Sequence, residues 1–421
     1  MKKILVWGVT AIIGLLGVSL TYVYLALPLI WPVVSSDLRH GDVRGKMYYF
    51  TRLKPFKKEA ERLEKAGQQH IAANQILHEV HWLLLTTRDF PRIAERLQDL
   101  RRVLRDPALL NVADEQSAED GSWGRWYTEW FFKLDASYEQ IQILAREGQV
   151  PHYPTRFLDQ INSPEKLRAH FQRILISDMA RDSRDHGREL NETVSALMRM
   201  ILRQQPANYP FHPQLKATLL DIIMNQIRDP ETGYFVNWFQ VGDHLEKRLS
   251  LSLTFHIVNF LNGDIPNWPT LITTMLAMKD QEFRIGGWLD NGAYTNHHNM
   301  DVVLLFSLGW QHVSPELQDA MRIEIRKMLT WCLQESLLAD GSFRRNQFEN
   351  DSFEECTYFG ASFLARAGYF DPRKRFWTNE EFPEADQIKQ RLVNNIRAHF
   401  DSGGASGAYY RNALEQLGEK L

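Results

Sequence analysis

Asn296, His297, His298 and Asn299 form the densest run of side chains in this chain able to move or stabilise a proton, with Tyr294 and Asp301 on either side. Histidine takes or gives a proton near neutral pH, and an asparagine amide bonded to a uronate carboxyl makes its α-proton acidic enough to remove. The alternative is helix capping by Asn296 or Asn299 with exposed histidines. Adjacent residues on a helix point in different directions, so His297 and His298 are not expected to share a metal, and no cofactor is implied.

Two charged clusters allow different chemistry. Arg344, Arg345, Asn346, Glu349, Asp351, Glu354 and Glu355 form one; Asp182, Asp185, His186, Glu189 and Glu192 form the other. Carboxylates facing each other across a cleft can act as acid and base on a glycosidic bond, here Asp185 or Glu189 with Asp340 or Glu349. Pairing along helices or solvation is the alternative, and Asp185 or Asn191 can equally be a cap. Trp123, Trp126, Trp130, Trp238, Trp288, Tyr409 and Tyr410 offer flat faces for sugar rings, with Arg411 beside the last two; core packing is the competing role. His78 and His81 lack the His-Glu-x-x-His signature and are assigned no function.

The elements that must position these residues are helices. Amphipathic runs are expected over residues 59–87, 91–104, 137–147, 164–179, 190–204, 214–228, 245–262, 315–338, 353–368 and 383–400. Alternating segments long enough for a sheet are absent, so the expected class is all-α. Six Gly-bearing breaks interrupt the helices, around Gly121, Gly187, Gly233, Gly286-Gly287, Gly341 and Gly403-Gly404, at a spacing of roughly 45 to 65 residues, which suits one helical hairpin per repeat. Glycine supplies the left-handed turn that ends a helix, and the aromatic residue shortly after it covers a core edge. Helices after the breaks are richer in small and apolar residues than those before them, which points to an inner ring within an outer one.

With these breaks the sequence resembles the α/α-toroid proteins, from about residue 59 to the C-terminus: the six-hairpin polysaccharide lyases and glycosidases and, more weakly, the terpenoid cyclases and prenyltransferases. The Gln116–Trp123 and Gln334–Phe343 segments look like the cyclase repeat, although the DxDD acid motif of that family is missing. Asn296-His297-His298-Asn299 looks like the Asn/His cluster of toroid lyases. The resemblance implies a six-hairpin α/α toroid whose funnel is ringed by helix N-termini, and an envelope enzyme cleaving an anionic or amino-sugar polysaccharide, preferably by β-elimination. In that reading His298 or His297 is the base, Asn296 stabilises the enolate-like intermediate, Arg344 binds a carboxylate, and Tyr358 or Tyr409 protonates the leaving oxygen. Trp126, Asp185, His186, Glu189, Trp238, Trp288, Glu349, Tyr410 and Arg411 are expected to bind substrate. A hydrolase with paired carboxylates and a non-catalytic toroid binding glycan or a membrane partner are the alternatives.

The N-terminus adds a membrane. Residues 4–34 carry no charged side chain, long enough to cross a hydrocarbon core needing about 20 apolar residues; a cleaved signal peptide is the alternative. The expected organisation is an anchor over 1–34, a basic connector over 35–58 and the toroid domain over 59–421. Arg39, Arg44, Lys46, Arg52 and Lys54 argue for a cytoplasmic body, whereas Lys2 and Lys3 before the apolar run resemble an export signal. The expectation is a single-pass inner-membrane protein with a periplasmic or extracytoplasmic body. Lys and Arg total 49 against 52 Asp and Glu, mixed along the chain, which excludes a nucleic-acid partner. Cys332 and Cys356 permit at most one disulfide.

Overall fold

The computed structural model describes residues 47–420 apart from 67, 88, 179, 182–183, 204, 207, 291, 345–352 and 401–404. The expected anchor and the first part of the connector lie outside the described residues, as do Asp182, Arg345, Asn346, Glu349 and Asp351. Among the described residues no helix is long and apolar enough to cross a membrane.

The chain is mostly helical. Its α-helices are α1 (Lys54–Lys65), α2 (Ile71–Thr86), α3 (Phe90–Leu104), α4 (Trp130–Arg146), α5 (Pro164–Ile174), α6 (Gly187–Met198), α7 (Leu215–Ile222), α8 (Leu251–Phe260), α9 (Trp268–Met278), α10 (Asn296–Gly309), α11 (Pro315–Trp331), α12 (Phe353–Arg366), α13 (Ala385–His399) and α14 (Ala405–Gln416). Side-chain caps start several of them: Ser163 accepts from Lys166 N–H at 3.2 Å, Ser250 from Leu253 at 3.3 Å and Thr295 from His298 at 3.1 Å. Such a cap contributes about 1 kcal/mol by satisfying an otherwise unpaired N–H. Residues 49–58, expected as connector, are already helical, and Tyr49 and Leu53 are buried in a core shared with α2, α3 and the start of α4. The single helix expected over 59–87 is two, with His70 capping the second through Ala73 N–H at 3.3 Å.

Helices that follow the breaks pack in chain order: α4 on α6, α6 on α8, α8 on α10, α10 on α12 and α12 on α14. In the other series α5 packs on α7 and α9 on α11. Trp123, Phe235, Trp288 and Phe343, the aromatics of four breaks, are all buried between the elements. Each large apolar side chain removed from water contributes about 1.5–3 kcal/mol.

Two breaks are built alike. The carboxylates of Asp120 and Asp340 accept from the N–H and hydroxyl of Ser122 and Ser342, at 3.0 and 2.7 Å and at 2.9 and 2.7 Å. The glycine between has φ of +72° at Gly121 and +85° at Gly341, and a Cβ there would meet Pro154 O at 2.0 Å or Arg391 O at 2.6 Å. Conformation and close approach both demand glycine.

The expectation of no sheet is corrected. Strand β1 (Ile176–Ser177) pairs in parallel with β2 (Val236–Val241), which pairs antiparallel with β3 (His244–Leu249) in a register from Val236↔Leu249 to Val241↔His244. Gly242, with φ of +57°, opens the two-residue turn. Trp238, Phe239 and Gln240 are all half-buried, so apolar and polar residues do not alternate cleanly. Residues 245–249, read as the start of a helix, are instead held extended by Arg248 on Asp185 (3.1 Å) and Lys247 on Asp229 (2.9 Å). Tertiary pairing outweighs the helix preference of Glu246, Lys247 and Arg248.

Candidate functional site

Helices α4 and α6 carry ionisable residues along the faces they turn toward each other. Asp135 and Glu139 are one turn apart on α4; Arg188, Glu192 and Arg199 share a stripe on α6 and the π turn Arg199–Arg203 that ends it. Arg188 Nε lies 3.7 Å from Glu192 Oε1. Arg199 lies over Tyr138 of α4 at 5.0 Å and over Phe260 of α8 at 5.1 Å, so one guanidinium spans three helices.

The carboxylates are not neutralised by these cations. Loss of hydration, then the Asp135 charge, push both Glu139 and Glu192 up to about 7, against the pull of Arg199 on the first and of Arg188 and Arg199 on the second. Burial raises Asp135 as well, opposed by the same two arginines. Glu139 nevertheless reaches solvent and the Glu192 side chain is 28% exposed. Both carboxyls therefore combine solvent contact with a loss of hydration that disfavours their charged forms.

The next helices in the series bring residues toward the same groups. His256 of α8 is pushed down to about 3 by burial and then by the Arg199 and His297 charges. His297, in the first turn of α10, is also held at about 3 by burial, and its ring stacks on Phe359 at 4.1 Å. Both imidazoles are therefore neutral at physiological pH. On α14, Tyr409 donates to Glu355 of α12 at 3.0 Å, and Tyr358 of α12 lies 5.8 Å from the Tyr409 ring. Burial raises the Tyr409 pKa, and the charges of Glu355, Glu139 and Asp135 add to the rise. The last helix of the series thus senses the carboxylates of the first. Asp135, Glu139, Glu192 and Glu355 stand against Arg188 and Arg199, and the raised pKa values of the first three keep part of this carboxyl set protonated near neutral pH.

The other residues singled out in the sequence are placed as follows. His298 is buried, stacked on Phe283 with ring centres 3.7 Å apart and bonded to the Trp288 carbonyl at 3.2 Å; burial pushes it down to about 4. It is a core residue, and the ring of its neighbour His297 lies 5.4 Å from it, stacked on Phe359. Asn296 donates to Ser336 at 2.9 Å, away from the carboxylates. Arg344 is exposed, with its N–H on the Ser336 carbonyl at 2.7 Å. Trp288 is wholly buried and Tyr410 nearly so, while Arg411 is half-buried. Trp238 donates to Gln226 O at 3.0 Å on the sheet. Trp126 lines a separate open groove of about 390 Å³ with Arg102, Asp106 and Arg125.

The second break is an ion-pair network. Asp185 binds Arg248, and Glu189 accepts from Arg184 at 2.8 Å and pairs with His186 at 3.1 Å. Burial opposes ionisation of Glu189, but the His186 bond and Arg184 hold its carboxyl below the usual range. Asp340 is committed to the turn at Ser342, and Glu349 lies outside the described residues. Cys332 and Cys356 are both buried and form no disulfide, and no cluster suited to a metal occurs among the described residues.

Asp135, Glu139, Arg199 and His256 lie within the helices and the π turn rather than at the Gly-bearing breaks, so the spacing of the breaks does not point to them. Their signal was available: charges at i, i+4 spacing on helices otherwise read as apolar. Comparison with known proteins gives no family, since no family model, no curated protein and no solved structure matches the chain.

Proposed function

We propose that the two helix series close as a six-hairpin α/α toroid and that the carboxylates inside it hydrolyse glycosidic bonds of a neutral or amino-sugar polysaccharide. The observation that carries this reading is the pair Glu139 and Glu192, both pushed up to about 7 beside Asp135 while still in contact with solvent. Near neutral pH such a pair holds a proton on one carboxyl and a charge on the other. The protonated group gives its proton to the leaving oxygen as the C–O bond breaks, and the ionised partner takes a proton from the water that forms the new C–O bond. Closure of the ring is supported by the influence of Asp135 and Glu139, on the first helix of the series, on Tyr409 of the last.

Electrostatics select the substrate class. With one carboxyl of the Glu139–Glu192 pair protonated, the remaining carboxylates exceed Arg188 and Arg199 by at most one charge, which favours neutral or amino sugars over uronates. Tyr358, Tyr409 and Phe359 offer ring faces for sugars. A second reading, β-elimination, is favoured by the neutral His297, stacked on Phe359 next in sequence to Tyr358, whose ring lies 5.8 Å from that of Tyr409, a base and proton donors on successive helices. The apolar run over 4–34 would hold this body at the inner membrane, facing out of the cytoplasm.

The test is incubation of the protein with neutral, amino-sugar and uronate-containing polysaccharides, scoring new reducing ends and ultraviolet-absorbing unsaturated ends separately. New reducing ends without unsaturation support hydrolysis. Unsaturated products support the lyase, and binding without turnover supports a non-catalytic toroid.

A further inference from the structure

We propose that His78 of α2 is a positioning residue for the carboxylate cluster, holding Arg188 beside Glu192, so that the N-terminal helix pair completes the site. The inference rests on the carboxylate reading above. Helix α2 belongs to the N-terminal core and not to the series that carries the carboxylates. Yet Arg188 Nη2 donates to His78 Nε2 at 2.6 Å, and the other ring nitrogen, Nδ1, lies 3.1 Å from the Tyr127 hydroxyl. A guanidinium has only donors, so Nε2 carries the lone pair and Nδ1–H donates to Tyr127. The Tyr127 ring stacks on Phe132 at 5.0 Å, and the Arg188 guanidinium lies over Phe132 at 5.8 Å.

The contact requires a neutral imidazole, since a protonated ring would offer no acceptor and would repel Arg188. Burial, then Arg188 and His81, push His78 down to about 3, and burial with the Asp135 and Glu139 charges keeps the Tyr127 proton in place. Glu192 itself faces Asp135 and Glu139 from α4 and Arg188 and Arg199 from its own helix and turn, with His256 of α8 beyond Arg199. Arg188 is the cation within 4 Å of its carboxylate, and His78 decides where that cation points.

The experiment is a carboxyl-carbon NMR titration of Glu192 in the full chain, in the wild type and in His78→Leu, His78→Gln, Arg188→Gln and the His78→Leu/Arg188→Gln double variant. Leucine fills the space without an acceptor; glutamine restores one. Glu192 is expected to titrate higher by about half a pH unit or more in His78→Leu, to return toward the wild-type midpoint in His78→Gln, and to gain nothing in the double variant beyond Arg188→Gln. An unchanged midpoint in His78→Leu, equal shifts in the leucine and glutamine variants, or additive shifts in the double variant would each overturn the proposal. Should His78→Leu not fold, the glutamine variant and Arg188→Gln decide it: a glutamine midpoint as high as that of Arg188→Gln contradicts the role. Absence of glycan turnover would remove the hydrolase reading and leave this titration unaffected.

Discussion

Arg188 Nε and Glu192 Oε1 are 3.7 Å apart on one face of α6, yet Glu192 is pushed up to about 7. A partly hydrated pair at that distance returns less than the carboxylate loses through burial beside Asp135. Stability therefore depends on pH with a definite sign. Glu192 has a folded pKa above its unfolded value of 4.5, so the folded state holds the extra proton between about 4.5 and 7 and stability falls as pH rises through that window. Glu192→Gln is expected to stabilise the protein at pH 8 by roughly 1–3 kcal/mol and to change little at pH 4, measured by chemical denaturation. An equal effect at both pH values would mean that Glu192 titrates normally.

The two adjacent histidines are expected to separate cleanly. His298→Ala removes a ring stacked at 3.7 Å on Phe283 and a bond to the Trp288 carbonyl within the core. Its cost is about 2–4 kcal/mol in denaturant unfolding. His297→Ala loses a half-exposed stack on Phe359 and costs about 1 kcal/mol. Equal losses would place both rings in the same environment.

Gly121 and Gly148 make a matched pair, with φ of +72° and +70°, but only the first has a neighbour at the Cβ position, Pro154 O at 2.0 Å. Gly148→Ala should cost the left-handed backbone penalty alone, about 1–2 kcal/mol. Gly121→Ala should cost at least about 2 kcal/mol more, because the loop carrying Pro154 must move. Thermal unfolding of the two variants measures the difference, and similar midpoints would remove the close-approach argument for the repeated break.

The helical class was legible from the amphipathic runs, and the breaks at Gly121 and Gly341 were legible because aspartate, glycine and an aromatic recur there and do the same job. The β2–β3 hairpin was not, because its pairing is set by Asp185 and Asp229, distant residues that hold Arg248 and Lys247. Of the Asn/His run, the two imidazoles lie 5.4 Å apart, and what each stacks on, Phe283 for His298 and Phe359 for His297, is set by packing that local sequence does not reveal. The carboxyls come from α4, α6 and α12, with Tyr409 of α14 bonded to Glu355, so which of them approach one another is a property of the packing, while the charged helix faces were visible.

Proton exchange by Glu139 and Glu192 is the central proposal, and the most direct measurement is the pH dependence of turnover on any glycan found to be cleaved, for the wild type and the variants Glu139→Gln and Glu192→Gln. The wild type is expected to lose activity through a limb near pH 7, the range to which both carboxyls are pushed. Each variant is expected to fall by about 10²–10⁴-fold and to lose that limb. Both variants turning over at the wild-type rate with the limb intact would contradict proton exchange by this pair.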